Sequence, residues 1–140
     1  MVDDDTVQTI RVGHSPDPDD AFMFHALTTG AFPTPGYRFE HVLLDIETLN
    51  QKALKGEYEV SAVSIHAYPE ISEQYALMNC GASMGEGYGP MLVSNKDITL
   101  EEACRGTIAV PGLKTSAYLA LNLACGDVDI AVVPFDEIIP

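Results

Sequence analysis

Short apolar runs alternate with polar stretches that carry helix caps, and the strand and helix periods interleave along all 140 residues. Residues 6–13 alternate closely enough to predict a strand. A helix is expected from Asp19 or Asp20 through Phe22, Phe24 and Leu27, with Gly30 as its stop and Pro33 and Pro35 beyond. Residues 37–44 read as a second strand. Asp45 then caps a helix whose apolar positions Ile46, Leu49, Ala53 and Leu54 recur at helical spacing, and Gly56 ends it. Residues 60–65 form a short apolar run, as buried parallel strands do. Residues 68–74 predict a helix with Pro69 in its first turn, and residues 75–80 a fourth strand.

The second half repeats the alternation. Residues 91–94 and 107–110 predict strands. Thr99 and Glu102 make a capping box before a helix that ends near Gly106. Thr115 or Ser116 caps a helix running through Tyr118, Leu119, Leu121 and Leu123. Residues 130–133 predict a further strand, and Asp136 starts a helix with no stop before Pro140. Strands alternating with helices imply an α/β protein with a mostly parallel sheet. Residues 81–90 hold four glycines and read as a crossover between two lobes. The division expected is 1–93 for the first lobe and 94–140 for the start of a second. The open helix at the end predicts a C-terminally incomplete fold with apolar surface uncovered there.

Composition narrows the partners. The 46% apolar content and mean hydropathy of +0.07 suit a globular chain with a core. Twenty-one acids against seven bases give a net charge of −14. That surface repels nucleic acid and anionic membranes, so neither is expected as a partner. A bound anion would need backbone N–H groups or hydroxyls, since cations are scarce. The acidic start, with no long apolar run behind it, predicts no secretory signal and no membrane span, hence a cytoplasmic location. Cys80, Cys104 and Cys125 are widely spaced without a C-x-x-C pair. That pattern argues against a zinc site and a disulfide framework, and the cysteines read as small buried apolar residues.

The candidate chemistry gathers in three places. His14-Ser15-Pro16-Asp17-Pro18-Asp19-Asp20 joins a strand to a helix N-terminus, the usual place for a ligand in an open α/β sheet. Asp17, Asp19 and Asp20 do not meet the calcium-loop pattern and read as acids favoured by the helix dipole. Ser64-Ile65-His66 lies at the end of a predicted strand, where a lone histidine is more often structural than a ligand residue. Thr115-Ser116 is an ordinary cap that also suits a ligand carboxylate or hydroxyl. The glycine-rich stretch does not fit G-x-G-x-x-G, and G-x-S-x-G is absent. His14, His25 and His41 have no partner of fixed spacing and receive no role.

Several segments together resemble the 1,4-dihydroxy-6-naphthoate synthase family of the futalosine route to menaquinone. Ser15-Pro16-Asp17-Pro18-Asp19-Asp20-Ala21-Phe22-Met23-Phe24 is similar to its S-P-C-P-N-D-T-F-x-F signature, and Asp45-Ile46-Glu47-Thr48-Leu49-Asn50 to its D-x-E-T-L-N. Ser64, residues 81–90 and Pro111-Gly112-x-x-Thr115-Ser116-Ala117-Tyr118 also fit in order and spacing. The resemblance runs from about residue 12 to residue 139 and covers about the first half of a family member.

That resemblance implies a type II periplasmic-binding-protein-like fold of two lobes, with a carboxylate-bearing small molecule between them. It implies a cytoplasmic lyase, without cofactor or metal, that cleaves cyclic dehypoxanthine futalosine. The substrate contacts it implies fall at Ala62, Val63 and Ser64 and at Thr115 and Ser116, and Ser15, Asp20 and Asn50 join them as candidate substrate-binding residues. The proton acceptor is expected in an I-H-E-type motif beyond residue 140, so this chain alone is not expected to catalyse. Five departures together mark a divergent member: Ala62 where the family has lysine, Asp17 and Asp19 where it has cysteine and asparagine, and the milder Ala21 and Ser116 where it has threonine. The alternatives are a solute-binding protein of the same fold without catalysis, and the related chorismate dehydratase, which the two motifs favour less.

Overall fold

The computed structural model of the protein describes residues 7–79 and 81–139. Expectations that fall on residues 1–6, Cys80 and Pro140 lie outside the described residues. In chain order the elements are β1 (Gln8–His14), α1 (Pro18–Thr28), β2 (Tyr37–Leu43), α2 (Ile46–Ala53), β3 (Val60–Ser61) and α3 (Tyr68–Ile71). They are followed by α4 (Leu100–Ala103), β4 (Thr107–Val110), α5 (Ser116–Cys125), β5 (Asp129–Val132) and a 3-10 turn at Phe135–Glu137. Two parallel sheets result, one ordered β2-β1-β3 and one pairing β4 with β5. An α/β protein with parallel strands is what the alternating pattern predicted.

The first sheet is organised by β1. It pairs with β2 from Gln8↔Tyr37 to His14↔Leu43, and with β3 at Val12↔Val60 and Gly13↔Ser61. Val12, Leu49, Ala53, Ala67 and Ile71 are buried beside it. Burying a leucine such as Leu49 contributes about 1.5–3 kcal/mol. Gly13 lets α2 approach, because a Cβ there would lie 2.8 Å from Leu49 Cδ2 and 2.9 Å from Tyr58 Cδ2. In the second sheet Ile108 and Val110 point inward.

The predicted caps form. Asp45 Oδ1 accepts from the Thr48 N–H at 2.9 Å. Thr99 and Glu102 complete their capping box, and Thr115 Oγ1 accepts from the Tyr118 N–H at 3.2 Å. Gly30 and Gly56 take the left-handed φ values of 64° and 65° that end α1 and α2.

Other expectations are corrected. Residues 75–79 and 91–94 are not strands; they are largely exposed and have no partner strand among the described residues. Their apolar side chains suit a pleated sheet, but a strand forms only where a neighbour takes its N–H and C=O groups. The strand expected over 60–65 stops at Ser61. One further bond follows, from the Ala62 N–H to the Gly13 carbonyl at 2.8 Å. The Ser64 N–H then turns to the Asn50 side chain instead. Residues 60–63 are half-buried rather than buried. The helix expected over 68–74 is only four residues long, and that at Asp136 is a single 3-10 turn.

Cys104 and Cys125 form a disulfide with Cα atoms 5.7 Å apart, against the reading of isolated buried thiols. The topology explains it. Each cysteine closes the helix that precedes a strand, and β4 and β5 begin side by side at Thr107↔Asp129. No helix among the described residues is long and apolar enough to cross a membrane.

Candidate functional site

The polar residues of interest lie beyond the C-terminal ends of the parallel strands, where side chains and loop backbone are no longer used by the sheet. After β1 the chain turns at Ser15 and enters α1. The Ser15 N–H donates to Asp20 Oδ2 at 2.7 Å, so the first turn of α1 folds back onto the strand end. Ser15 Oγ donates to Asp17 Oδ2 at 2.9 Å and accepts from the Asp17 N–H at 3.1 Å. Ser15 and Asp20 are both buried, and the serine hydroxyl is already committed to Asp17. Asp19 points elsewhere: a hydrogen bond from Ser83 holds its carboxyl below the usual aspartate range, against a small opposing effect of burial. Ser83 belongs to the glycine-rich stretch, which therefore touches α1.

After β3 the loop carries Ala62, Val63 and Ser64. Asn50, wholly buried on α2, grips that loop. Its Oδ1 accepts from the Ser64 N–H at 2.8 Å, and its Nδ2 donates to Ser64 Oγ at 3.1 Å. An amide offers both a donor and an acceptor, so one side chain satisfies both groups of Ser64. Ala62 and Val63 are half-buried; the Ala62 N–H serves the sheet and leaves only a methyl where the family pattern has a lysine.

After β4 the 111–114 loop delivers Thr115, the cap of α5. Its Oγ1 donates to the Gly112 carbonyl at 2.8 Å. Ser116 is the first helical residue rather than the cap. This loop meets the Ser64 loop. His66 Nδ1–H donates to the Thr115 carbonyl at 3.2 Å. The Lys114 N–H donates to Glu47 Oε2 at 3.1 Å, and the Lys114 ammonium pairs with Glu70.

The structure thus joins Asn50 to Ser64 directly, and joins that pair to Thr115 through His66. Ser15 and Asp20 are joined to each other, and they share no hydrogen bond with the Ser64 group among the described residues.

Sequence reasoning passed over three groups. Two are Glu47, which stands in the D-x-E-T-L-N motif, and Lys114, which together tie α2 to the 111–114 loop. The third is the pair His14 and His41. His14 Nδ1–H donates to the Ser15 carbonyl at 3.0 Å, and its Nε2 shares a hydrogen bond with His41 Nδ1 at 2.9 Å. His14 also stacks on Phe24 with ring centroids 4.4 Å apart. Burial, with the nearby His14, pushes the His41 imidazole below the usual histidine range, and its Nε2 is buried without a partner. Only the strand register, Val12↔His41, places the two rings on one face, and no sequence spacing encodes it.

With this geometry in place, comparison with known proteins gives the family. A sequence profile described as menaquinone biosynthesis matches residues 10–140, and the chain belongs to that family. The 1,4-dihydroxy-6-naphthoate synthase of Thermus thermophilus is 38% identical over 135 residues, 96% of this chain and 48% of that protein. The protein of the same name from Streptomyces coelicolor is 34% identical over 143 aligned positions, 96% of this chain and 49% of that protein. Among solved structures, protein AF1704 from Archaeoglobus fulgidus superposes with a TM-score of 0.85 at 49% identity, covering 93% of this chain and 48% of that one. The resemblance read from the Ser15 and Asp45 motifs therefore holds, and the chain spans about half the length of the relatives it matches.

Proposed function

We propose that this chain holds the substrate of a 1,4-dihydroxy-6-naphthoate synthase-type lyase acting on cyclic dehypoxanthine futalosine in cytoplasmic menaquinone biosynthesis. In this reading residues 1–93 and 94–140 belong to two lobes of a type II periplasmic-binding-protein-like fold, with the carboxylate-bearing ligand between them. The relatives' names and the family support the reaction class. One observation carries the site: the buried Asn50 amide fixes Ser64 two residues before His66, and His66 reaches the carbonyl of the Thr115 cap.

The chemistry follows from the groups left over. The Tyr118 N–H is taken by Thr115 Oγ1 and the Leu119 N–H by the Thr115 carbonyl. Among the described residues, the Ser116 and Ala117 N–H groups and the Ser116 hydroxyl remain for a carboxylate. Backbone donors suit a chain with so few cations. Proton removal from the cyclised sugar portion would trigger fragmentation, by a base that the resemblance leads us to expect outside these 140 residues. The residues described here bind and orient.

Because the chain spans half of its relatives, binding is the decisive measurement. Calorimetric titration with 1,4-dihydroxy-6-naphthoate and with the cyclic futalosine should show saturable binding. Ser64→Ala and Thr115→Val should each weaken it about tenfold, the scale of one lost hydrogen bond. Absence of binding to both compounds by the folded protein overturns the reading.

A further inference from the structure

We propose that Glu47 is a positioning residue that sets the Thr115 loop against the Ser64 loop, acting through Lys114 and Gly112. The inference rests on the reading that ligand lies between these loops. Glu47 is on the first turn of α2, one turn before Asn50, so a single short helix controls both loops. Its Asn50 end holds Ser64, and its Glu47 end holds the backbone ahead of Thr115. Glu47 Oε2 accepts from the Lys114 N–H at 3.1 Å, while Gln51 Nε2 donates to Oε1 at 2.8 Å and fixes the rotation of the carboxylate.

The approach is close enough to exclude a side chain at position 112. A Cβ on buried Gly112 would lie 2.2 Å from Glu47 Cγ and 2.3 Å from both Cδ and Oε2. Real Cβ atoms do not come that near, so the glycine is required by the carboxylate and not by its own backbone angle. A surface helix cap does not explain this arrangement, since Asp45 already caps α2. The carboxylate instead serves a loop 67 residues away. The Lys114–Glu70 ion pair and the His66–Thr115 bond flank the same contact. Together they fix the spacing between the two hydroxyl-bearing anchors, and that spacing selects the length of ligand that fits.

The test is a double-mutant cycle on the full 140-residue chain, with 1,4-dihydroxy-6-naphthoate as the binding probe and amide hydrogen exchange over residues 112–118 as a ligand-free readout. Glu47→Ala should weaken the probe about tenfold and speed exchange in that segment. Glu47→Gln keeps an acceptor oxygen for the Lys114 N–H and should restore most of both. Gly112→Ala should be worse than Glu47→Ala, and the double variant Glu47→Ala with Gly112→Ala should recover part of that loss because the clash is gone. Strictly additive losses, or a Gln variant as impaired as the Ala variant, overturn the proposal. If Gly112→Ala does not fold, the Ala and Gln variants at Glu47 decide alone. A wild type that fails to bind the probe refutes the ligand reading, while the exchange arm still judges Glu47.

Discussion

Asn50 and Ser64 exchange two hydrogen bonds across 14 residues of chain: the amide oxygen takes the serine N–H at 2.8 Å, and the amide nitrogen donates to the hydroxyl at 3.1 Å. Asn50 is fully buried, so each of its polar atoms must be satisfied inside the protein. The pair ends β3 early and fixes the loop that leads to His66. Removing the two partners should have unequal effects. Asn50→Ala empties a core position and strands a buried backbone donor, at a cost of about 2–4 kcal/mol. Ser64→Ala keeps the backbone bond and should cost about 1 kcal/mol. Urea unfolding of both variants measures the difference, and equal losses would show that the amide is not the organising partner.

Signals that act over a few residues were legible in the sequence. Asp45, Thr99 and Thr115 announced their helices because a cap satisfies N–H groups two or three positions away. Gly30 and Gly56 announced two stops for an equally local reason. Groups that depend on distant partners were not legible. Residues 91–94 have the composition of a strand and, among the described residues, no neighbour to pair with. Cys104 and Cys125 meet only because β4 and β5 start together. The same holds for the site. Ser64, Thr115 and Asn50 could be named from motifs, but the bridge through Glu47 and His66 depends on where two loops end in space.

The pH dependence of stability should fall in two windows. His41 is pushed below the usual histidine range by burial and then by His14. A base with a depressed folded pKa resists the proton that the unfolded chain accepts. Its contribution is therefore complete above the unfolded value of about 6.5 and is lost as pH falls through the folded value. Glu59 behaves likewise at lower pH. The Arg11 side chain, with its backbone N–H, holds the Glu59 carboxyl at about 2, so its contribution is present above the ordinary value of 4.5 and lost as pH falls toward 2. Unfolding midpoints measured from pH 8 downward should decline first below about 6.5 and again in stronger acid. His41→Asn, which keeps a hydrogen-bonding partner for His14, should flatten only the first decline, and Glu59→Gln only the second. A single decline that neither variant alters would rule out this assignment.

The disulfide between Cys104 and Cys125 closes a loop across a sequence separation of 21 and ties the end of α4 to the end of α5. On loop-entropy grounds a closure of that length stabilises by about 3 kcal/mol. The oxidised protein should show one free thiol among its three cysteines when denatured. A reductant should lower its unfolding midpoint, and Cys104→Ser with Cys125→Ser should match the reduced wild type with or without reductant. Three free thiols, or a midpoint indifferent to reductant, would refute the link. Because α5 begins at the Thr115 cap, reduction should also quicken amide exchange at the start of that helix.

Asp17 is where this chain departs from its family's signature with a structural consequence. The Ser15 hydroxyl donates to Asp17 Oδ2 and accepts from the Asp17 N–H, so a ligand at the α1 N-terminus finds that serine already engaged. Asp19 adds a second carboxylate in the same turn, held ionised by Ser83. Both acids favour the helix dipole, by about 0.3–1 kcal/mol each, and both repel an anionic ligand brought to the same turn. Restoring the family residues, Asp17→Cys with Asp19→Asn, frees the hydroxyl and removes two negative charges. Binding of 1,4-dihydroxy-6-naphthoate should tighten several-fold, and the gain should shrink as salt rises, since part of it is relief of repulsion. Thermal stability should fall slightly as the helix loses its favourable acids. Tighter binding with no salt dependence would assign the effect to the freed Ser15 alone. Unchanged or weaker binding would show that neither the charge of this turn nor the Ser15 hydroxyl bears on the ligand, whose carboxylate the α5 N-terminus beside Thr115 then holds without interference from α1.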